Sequence, residues 1–185
     1  MYGLPLLLGF CLCTILLPTN TTAVSLKLIP IITKATVQGH DNYARTNVTI
    51  LRYGSIQNYT IDLAIEVLTK LDNLKMNIGY FIRMRNSENW IYNKTFNFCA
   101  FLSRPSIDRF GSMVYYEMRR HGKIPPKCPL FPEFLLFKNL TFNQLKIPSF
   151  LPETSFGLKV SCYLAQTNEF VFQSNWYGRL RKIMM

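Results

Sequence analysis

Apolar and polar residues alternate at every second position over 74–85. Leu74, Met76, Ile78, Tyr80, Ile82 and Met84 fall on one side; Lys75, Asn77, Gly79, Phe81, Arg83 and Arg85 fall on the other. Period two with one mainly polar face predicts a half-buried antiparallel strand. Just upstream, Ile61, Leu63, Ile65 and Val67 alternate with Asp62, Ala64 and Glu66. Asp72 and Asn73 supply turn chemistry between the two runs, which predicts a hairpin. Ile61, Ile65 and Leu68 also fit a helix face, but the β-branched residues and the nearby turn favour a strand. Further strands are predicted over 47–53, 90–98, 134–137, 157–165 and 169–177, with a turn at Thr167 and Asn168. Strands at short spacing with few helical patterns indicate a β-sandwich or barrel.

One segment breaks the alternation. Ile107, Phe110, Val114 and Met118 recur at three- and four-residue steps and share one helix face. Ser106 can cap that helix, and Asp108 suits its first turn. Arg119, Arg120 and His121 suit its negative end, and Gly122 with Pro125 and Pro126 stops it. One substantial helix over 106–121 is predicted.

The start of the chain sets the compartment. Residues 4–17 form an uncharged, almost unbroken apolar run, and small residues follow up to Ala23. That is the pattern of a secretory signal peptide spanning 1–23. The run falls short of the ~20 apolar residues of a membrane span. A buried terminal strand or helix of a cytosolic protein is the alternative reading. With the leader removed, 24–185 suits a single domain, and no repeat or linker marks a second. The net charge of +11 stays with that domain. Secretion argues against nucleic acid and points the charge at an anionic surface or an acidic receptor face, or simply at solubility.

Removing the leader also takes Cys11 and Cys13, leaving Cys99, Cys128 and Cys162. An oxidising compartment then predicts one pair and one leftover. A bridge between Cys99 and Cys128 would staple the helical excursion back to the sheet. Closing a loop of about 30 residues stabilises by about 3–4 kcal/mol in the chain-entropy model. Cys162 shares the apolar face of Leu158, Val160 and Leu164, which suits a buried thiol; an intermolecular bridge is the alternative. Asn47, Asn58, Asn93 and Asn139 each begin an Asn-x-Thr sequon, so each is expected to face solvent and carry a glycan.

Catalysis finds little support. His40 and His121 are the only histidines, and neither stands at metal-ligand spacing from another His or Cys. There is no Gly-x-Ser-x-Gly elbow and no Walker loop. No enzyme, cofactor or metal site is expected. Met76, Met84, Met113 and Met118, with many Phe and Tyr, are the large adaptable side chains that repack around apolar ligands. Sheets that splay apart would hold such a ligand between them.

Tyr92–Leu102 around Cys99, then Lys127-Cys128-Pro129-Leu130, Phe137-Lys138-Asn139-Leu140 and Leu151-Pro152, resemble a large insect family. It is catalogued as domain of unknown function 1091 and includes CheB-type chemosensory proteins. Asn97 stands where the family often has Asp. That family is distantly similar to the ML lipid-recognition fold. The resemblance implies a mainly β, immunoglobulin-like sandwich of two antiparallel sheets around an apolar cavity. It also implies a Cys99–Cys128 bridge.

The expectation is a secreted, extracellular glycoprotein that binds a lipid, fatty acid or hydrocarbon pheromone between its sheets. The expected lining is Ile61, Leu63, Ile65, Met76, Ile78, Tyr80, Ile82, Leu158, Val160, Leu164, Phe170 and Phe172. Arg83, Arg85 or Lys159 would hold an anionic headgroup at the rim. The alternative is a solid-cored secreted protein acting on a receptor or anionic matrix, with the basic run Arg179-Leu180-Arg181-Lys182 as its patch.

Overall fold

Alternation becomes strand in every segment where it was predicted. The computed structural model describes residues 26–84, 87–145, 147 and 151–184. The expected leader 1–23 and Arg85 lie outside the described residues. The strands are β1 (Leu26–Gly39), β2 (Ala44–Arg52), β3 (Tyr59–Val67), β4 (Leu74–Met84), β5 (Ser87–Asn97), β6 (Glu133–Leu140), β7 (Ser155–Leu164) and β8 (Phe170–Met184). They form a five-stranded sheet, β1-β8-β7-β4-β5, and a three-stranded sheet, β2-β3-β6. All pairings are antiparallel. This is the mainly β, two-sheet sandwich expected from the sequence.

The predicted hairpin between β3 and β4 does not form. Their strands are right, but they belong to opposite sheets. The segment between them passes from one layer to the other along the surface, with Leu71 turned inward, and Leu71 exchanges two 2.9 Å backbone hydrogen bonds with Leu130. Those bonds satisfy the polar backbone of the crossing chain. Asp72 and Asn73 therefore turn the chain from one layer into the other. β4 instead makes its hairpin with β5.

The pattern did not reveal β1. Residues Leu28 to Ile32 are all buried, so no polar position alternates with the apolar ones. Pro30 also reads as a strand breaker. It is tolerated because β1 is a sheet edge, where the missing N–H breaks no ladder. Its carbonyl accepts a 2.9 Å hydrogen bond from the buried Tyr59 hydroxyl, tying β1 to β3 across the sandwich. Leu28, Ile61, Leu74, Phe137, Leu140 and Leu180 are fully buried between the layers. Each such side chain contributes about 1.5–3 kcal/mol by leaving water.

The excursion between β5 and β6 is more broken than the single helix expected. It holds α1 (Phe98–Ser103), a 3-10 turn (Pro105–Ile107) and α2 (Arg109–His121). Asn97 caps α1 by accepting a 2.8 Å hydrogen bond from the Ala100 N–H. Asp108, not Ser106, caps α2, accepting from the Gly111 N–H at 2.7 Å. Pro105 holds Ser106 in the 3-10 turn and so outside the helix. Gly122 ends α2 in extended backbone. A Cβ there would meet the Leu136 carbonyl oxygen at 2.4 Å, so glycine is needed for close approach to β6 rather than for a left-handed cap. Cys99 in α1 bonds to Cys128, with their Cα atoms 5.3 Å apart.

Candidate ligand-binding cavity

Three strands cannot cover the inner face of five. β3 and β6 face the middle of the larger sheet, and α2 covers the remainder beside β5. Phe110 of α2 packs on Tyr80 and Tyr92, with ring centroids 5.8 and 5.2 Å apart. Helix and sheet surfaces have different shapes, and the space between them is not filled. Two apolar chambers result among the described residues.

The inner chamber, about 190 Å³, lies between the sheets and under α2. The outer chamber, about 290 Å³, lies between α2, β1 and the segment around Leu145 and Ile147. Val114, Phe142, Leu158 and Trp176 line both and so form the wall between them. The polar lining is sparse. Ser174 borders the inner chamber, where its hydroxyl accepts a 3.0 Å hydrogen bond from Trp176 Nε1. Tyr80 and Tyr92 border the outer one. An apolar hollow with few polar groups favours hydrocarbon over water, because water needs two to four polar partners.

Of the expected lining, Leu63, Ile65, Met76, Ile78, Val160 and Phe172 border the inner chamber. Tyr80 borders the outer one, and Leu158 borders both. Four expected residues border neither. Ile61 is fully buried in the packed core. Leu164 packs against that core at the end of β7. Phe170 instead packs on Tyr163, 6.2 Å between centroids. Ile82 sits half-buried near the end of β4. Alternation put Ile61, Leu164 and Ile82 on the correct face but could not say how far along each strand the hollow extends, whereas the register shift between Cys162 and Tyr163 turns Phe170 onto the outer face with Tyr163.

The expected rim charges are displaced. Lys159 alternates with Leu158 and Val160, so it lies on the outer face of the sheet, away from both chambers. Arg83 is exposed and pairs with Glu88 at 2.6 Å across the β4–β5 hairpin. The basic run Arg179 to Lys182 is part of β8, where Arg181 pairs with Glu153 at 3.5 Å.

A charged group does stand near the outer chamber. The buried Asp108 carboxylate accepts from the Tyr92 hydroxyl and from Lys94 Nζ at 3.1 Å, besides capping α2. Burial alone would raise its pKa. The hydrogen bonds from Tyr92, Gly111 and Lys94, with the Lys94 charge, outweigh burial and hold the carboxyl below its usual range. Tyr92 shifts the opposite way, raised by burial and by the carboxylate beside it. At the other end of α2, buried Glu117 pairs with Arg120 at 3.0 Å and meets His121 Nε2 at 3.3 Å. His121 Nδ1 lies 3.2 Å from the Lys138 carbonyl, so this cluster ties the helix end to β6.

Cys162 faces the inner chamber as a free, buried thiol. Burial pushes it up to about 12, despite a hydrogen bond involving the Tyr163 backbone. Tyr80 is likewise raised by burial to about 12. Both are neutral at physiological pH and suit an apolar wall.

Sequence reasoning missed the α2 and β6 contributions to the lining. Val114, Tyr115 and Met118 border the inner chamber, as do Leu135 and Phe137. The three-and-four spacing of Val114 and Met118 was the available signal, since it marks a helix face that must be buried against something.

Together, fold and hollow define a two-layer antiparallel β-sandwich with an apolar interior, closed on one side by a disulfide-stapled helix. The family comparison agrees with the resemblance noted in the sequence. The family model described as "Protein of unknown function (DUF1091)" matches residues 76–158, from β4 into β7. Solved structures match as well, among them chicken MD-1 complexed with lipid IVa. That likeness has 9% identity and a TM-score of 0.39, covering 84% of this chain and 98% of that one. No curated protein matches.

Proposed function

We propose that this protein is a secreted, non-enzymatic glycoprotein that carries a small apolar ligand between its sheets. A lipid, fatty acid or hydrocarbon fits that description, and the resemblance to CheB-type proteins supports use in chemosensation. The observation that carries the reading is the pair of adjoining chambers, about 190 and 290 Å³, lined almost wholly by apolar side chains. An acyl chain entering them gains about 0.8 kcal/mol per buried methylene. The Cys99–Cys128 disulfide and four exposed sequon asparagines, Asn47, Asn58, Asn93 and Asn139, support an extracellular setting. Among the described residues no helix is long and apolar enough to cross a membrane.

The test is native mass spectrometry of the secreted protein for co-purified lipid, joined to displacement of a fluorescent fatty acid. Ile78→Trp, which fills the inner chamber, should abolish uptake while keeping a β-sheet circular dichroism spectrum. Undiminished uptake by that folded variant would overturn the site. A second reading is action on a receptor or anionic matrix through the exterior. It draws on Phe131, just before β6, and Phe134 within it, exposed at 61% and 60%. A folded Ile78→Trp variant that keeps full biological activity would favour it.

A further inference from the structure

The outer face of the five-stranded sheet carries an arrangement separate from the chambers. Register sets Asn93 of β5 opposite Gly79 of β4, and Thr95 opposite Asn77. Cross-strand partners share a face, so Asn77, Asn93 and Thr95 stand together. Asn77 Nδ2 donates to Asn93 Oδ1 at 2.9 Å and to Thr95 Oγ1 at 2.9 Å. Asn93 and Thr95 are the first and third residues of a sequon. One amide thus contacts both sequon side chains through their oxygens, and Asn93 itself is exposed.

An aromatic ring lies beside it. The register shift between Tyr80 and Phe81 leaves Ile91 without a partner, so Trp90 pairs with Phe81 and turns to the outer face. The Trp90 ring then lies over Gly79, the residue opposite Asn93. A Cβ at Gly79 would meet ring carbon Cζ3 at 2.4 Å, so only glycine admits the ring there. Phe81 holds the ring from one side, with centroids 4.9 Å apart. Trp90 is nevertheless 48% exposed. A large ring held from one side and half open to water leaves one apolar face free beside the sequon.

We propose that Asn93 carries an N-linked glycan whose first sugar stacks on the exposed face of Trp90. The inference rests on the secretion part of the reading above and not on the cavity. In the transfer, Asn93 Nδ2 attacks C1 of the first N-acetylglucosamine of a lipid-diphosphate-linked oligosaccharide. The C1–N bond forms, the C1–O bond to phosphate breaks, the lipid diphosphate leaves and Nδ2 gives up one proton. Asn93 Oδ1 keeps its hydrogen bond from Asn77, which aims the new linkage. The C–H face of the pyranose then meets the electron-rich face of the indole, and both lose water.

The protein secreted from eukaryotic cells supplies the test. Peptide mass spectrometry reads occupancy at Asn47, Asn58, Asn93 and Asn139. An endoglycosidase then trims each glycan to a single N-acetylglucosamine, and NMR reads through-space contact between that sugar and the Trp90 ring. Thermal melts compare wild type, Asn93→Gln, Trp90→Ala and the double variant. The expected result is an occupied Asn93, sugar protons shifted upfield by the indole, and a melting temperature about 2–4 °C lower in Asn93→Gln. That loss should vanish in the Trp90→Ala background. Glycans at the other sequons but none at Asn93 would overturn the inference and leave secretion standing. So would an occupied Asn93 with no indole contact and an equal thermal loss in both backgrounds. Glycans at none of the four would overturn it together with the secretion reading.

Discussion

Phe142 and Trp176 meet edge to face, ring centroids 6.0 Å apart at 81°, in the wall that divides the inner chamber from the outer. Phe142 comes from the segment after β6 and Trp176 from β8, so each is anchored in a different layer. Trp176 is further fixed through Ser174, which accepts its Nε1–H. With Val114 and Leu158, this aromatic contact forms the wall that keeps the two chambers apart.

Removing the ring should join the chambers. Phe142→Ala is expected to cost about 3–5 kcal/mol of stability in a denaturant melt. In a displacement series of fatty acids it should shift the preferred ligand toward longer chains. An unchanged length preference in the folded variant would show that the wall does not limit the ligand.

Asp108 couples the α2 cap to Tyr92 and Lys94, and its removal should be felt at all three. Asp108→Ala is expected to destabilise by about 1–3 kcal/mol, from the lost cap and two unpaired donors. The acid sign follows from its lowered pKa. The folded carboxyl ionises below its ordinary value of 3.8, so its contribution is fully present above that value and is lost as pH falls through the folded pKa. The stability gap between wild type and Asp108→Asn should therefore shrink in acid, as read by urea melts at stepped pH.

The disulfide closes a separation of 29 residues around α1, the 3-10 turn and α2. Replacing both cysteines, as in Cys99→Ser with Cys128→Ser, should cost about 3–4 kcal/mol. The loss should concentrate in the helical segment, so hydrogen exchange ought to speed up in α2 before it does in β7 or β8. Uniform acceleration across the sheets would argue against a local staple.

Cys162 should be inert while the protein is folded. Its raised pKa and buried position predict negligible labelling by a water-soluble thiol reagent at neutral pH, and full labelling after denaturation. Because the folded thiol titrates near 12 and the unfolded one near 9, the folded state binds the proton more tightly. That contribution is present below pH 9 and declines as pH rises above it. Fast labelling of native protein would mean that the inner chamber opens readily to water.

Much of the fold was legible in the chain. Period-two runs marked β3 and β4 because each has one face in the interior and one toward solvent. The spacing of Phe110, Val114 and Met118 marked α2. β1 escaped because its first half, Leu28 to Ile32, is buried on both faces and has no alternation to read. Ser106 reads as the cap because capping chemistry is local, whereas Pro105 and the 3-10 turn that displace it act through the preceding chain. In the cavity, Met76, Ile78 and Val160 were reached from alternation, while Ile82 and Leu164 were over-read along the same strands.

The sequence by itself determined which runs alternate between inside and outside, where chain direction changes and which segment turns helical. Those are properties of neighbours within a few residues. Only the tertiary structure decided that β3 and β4 part into different sheets, that Lys159 faces away from the hollow and that Phe142 and Trp176 divide it. Strand partners and layer spacing are set by contacts between distant segments. A void has no residues of its own; it is what remains where three strands and a helix fail to fill the face of five.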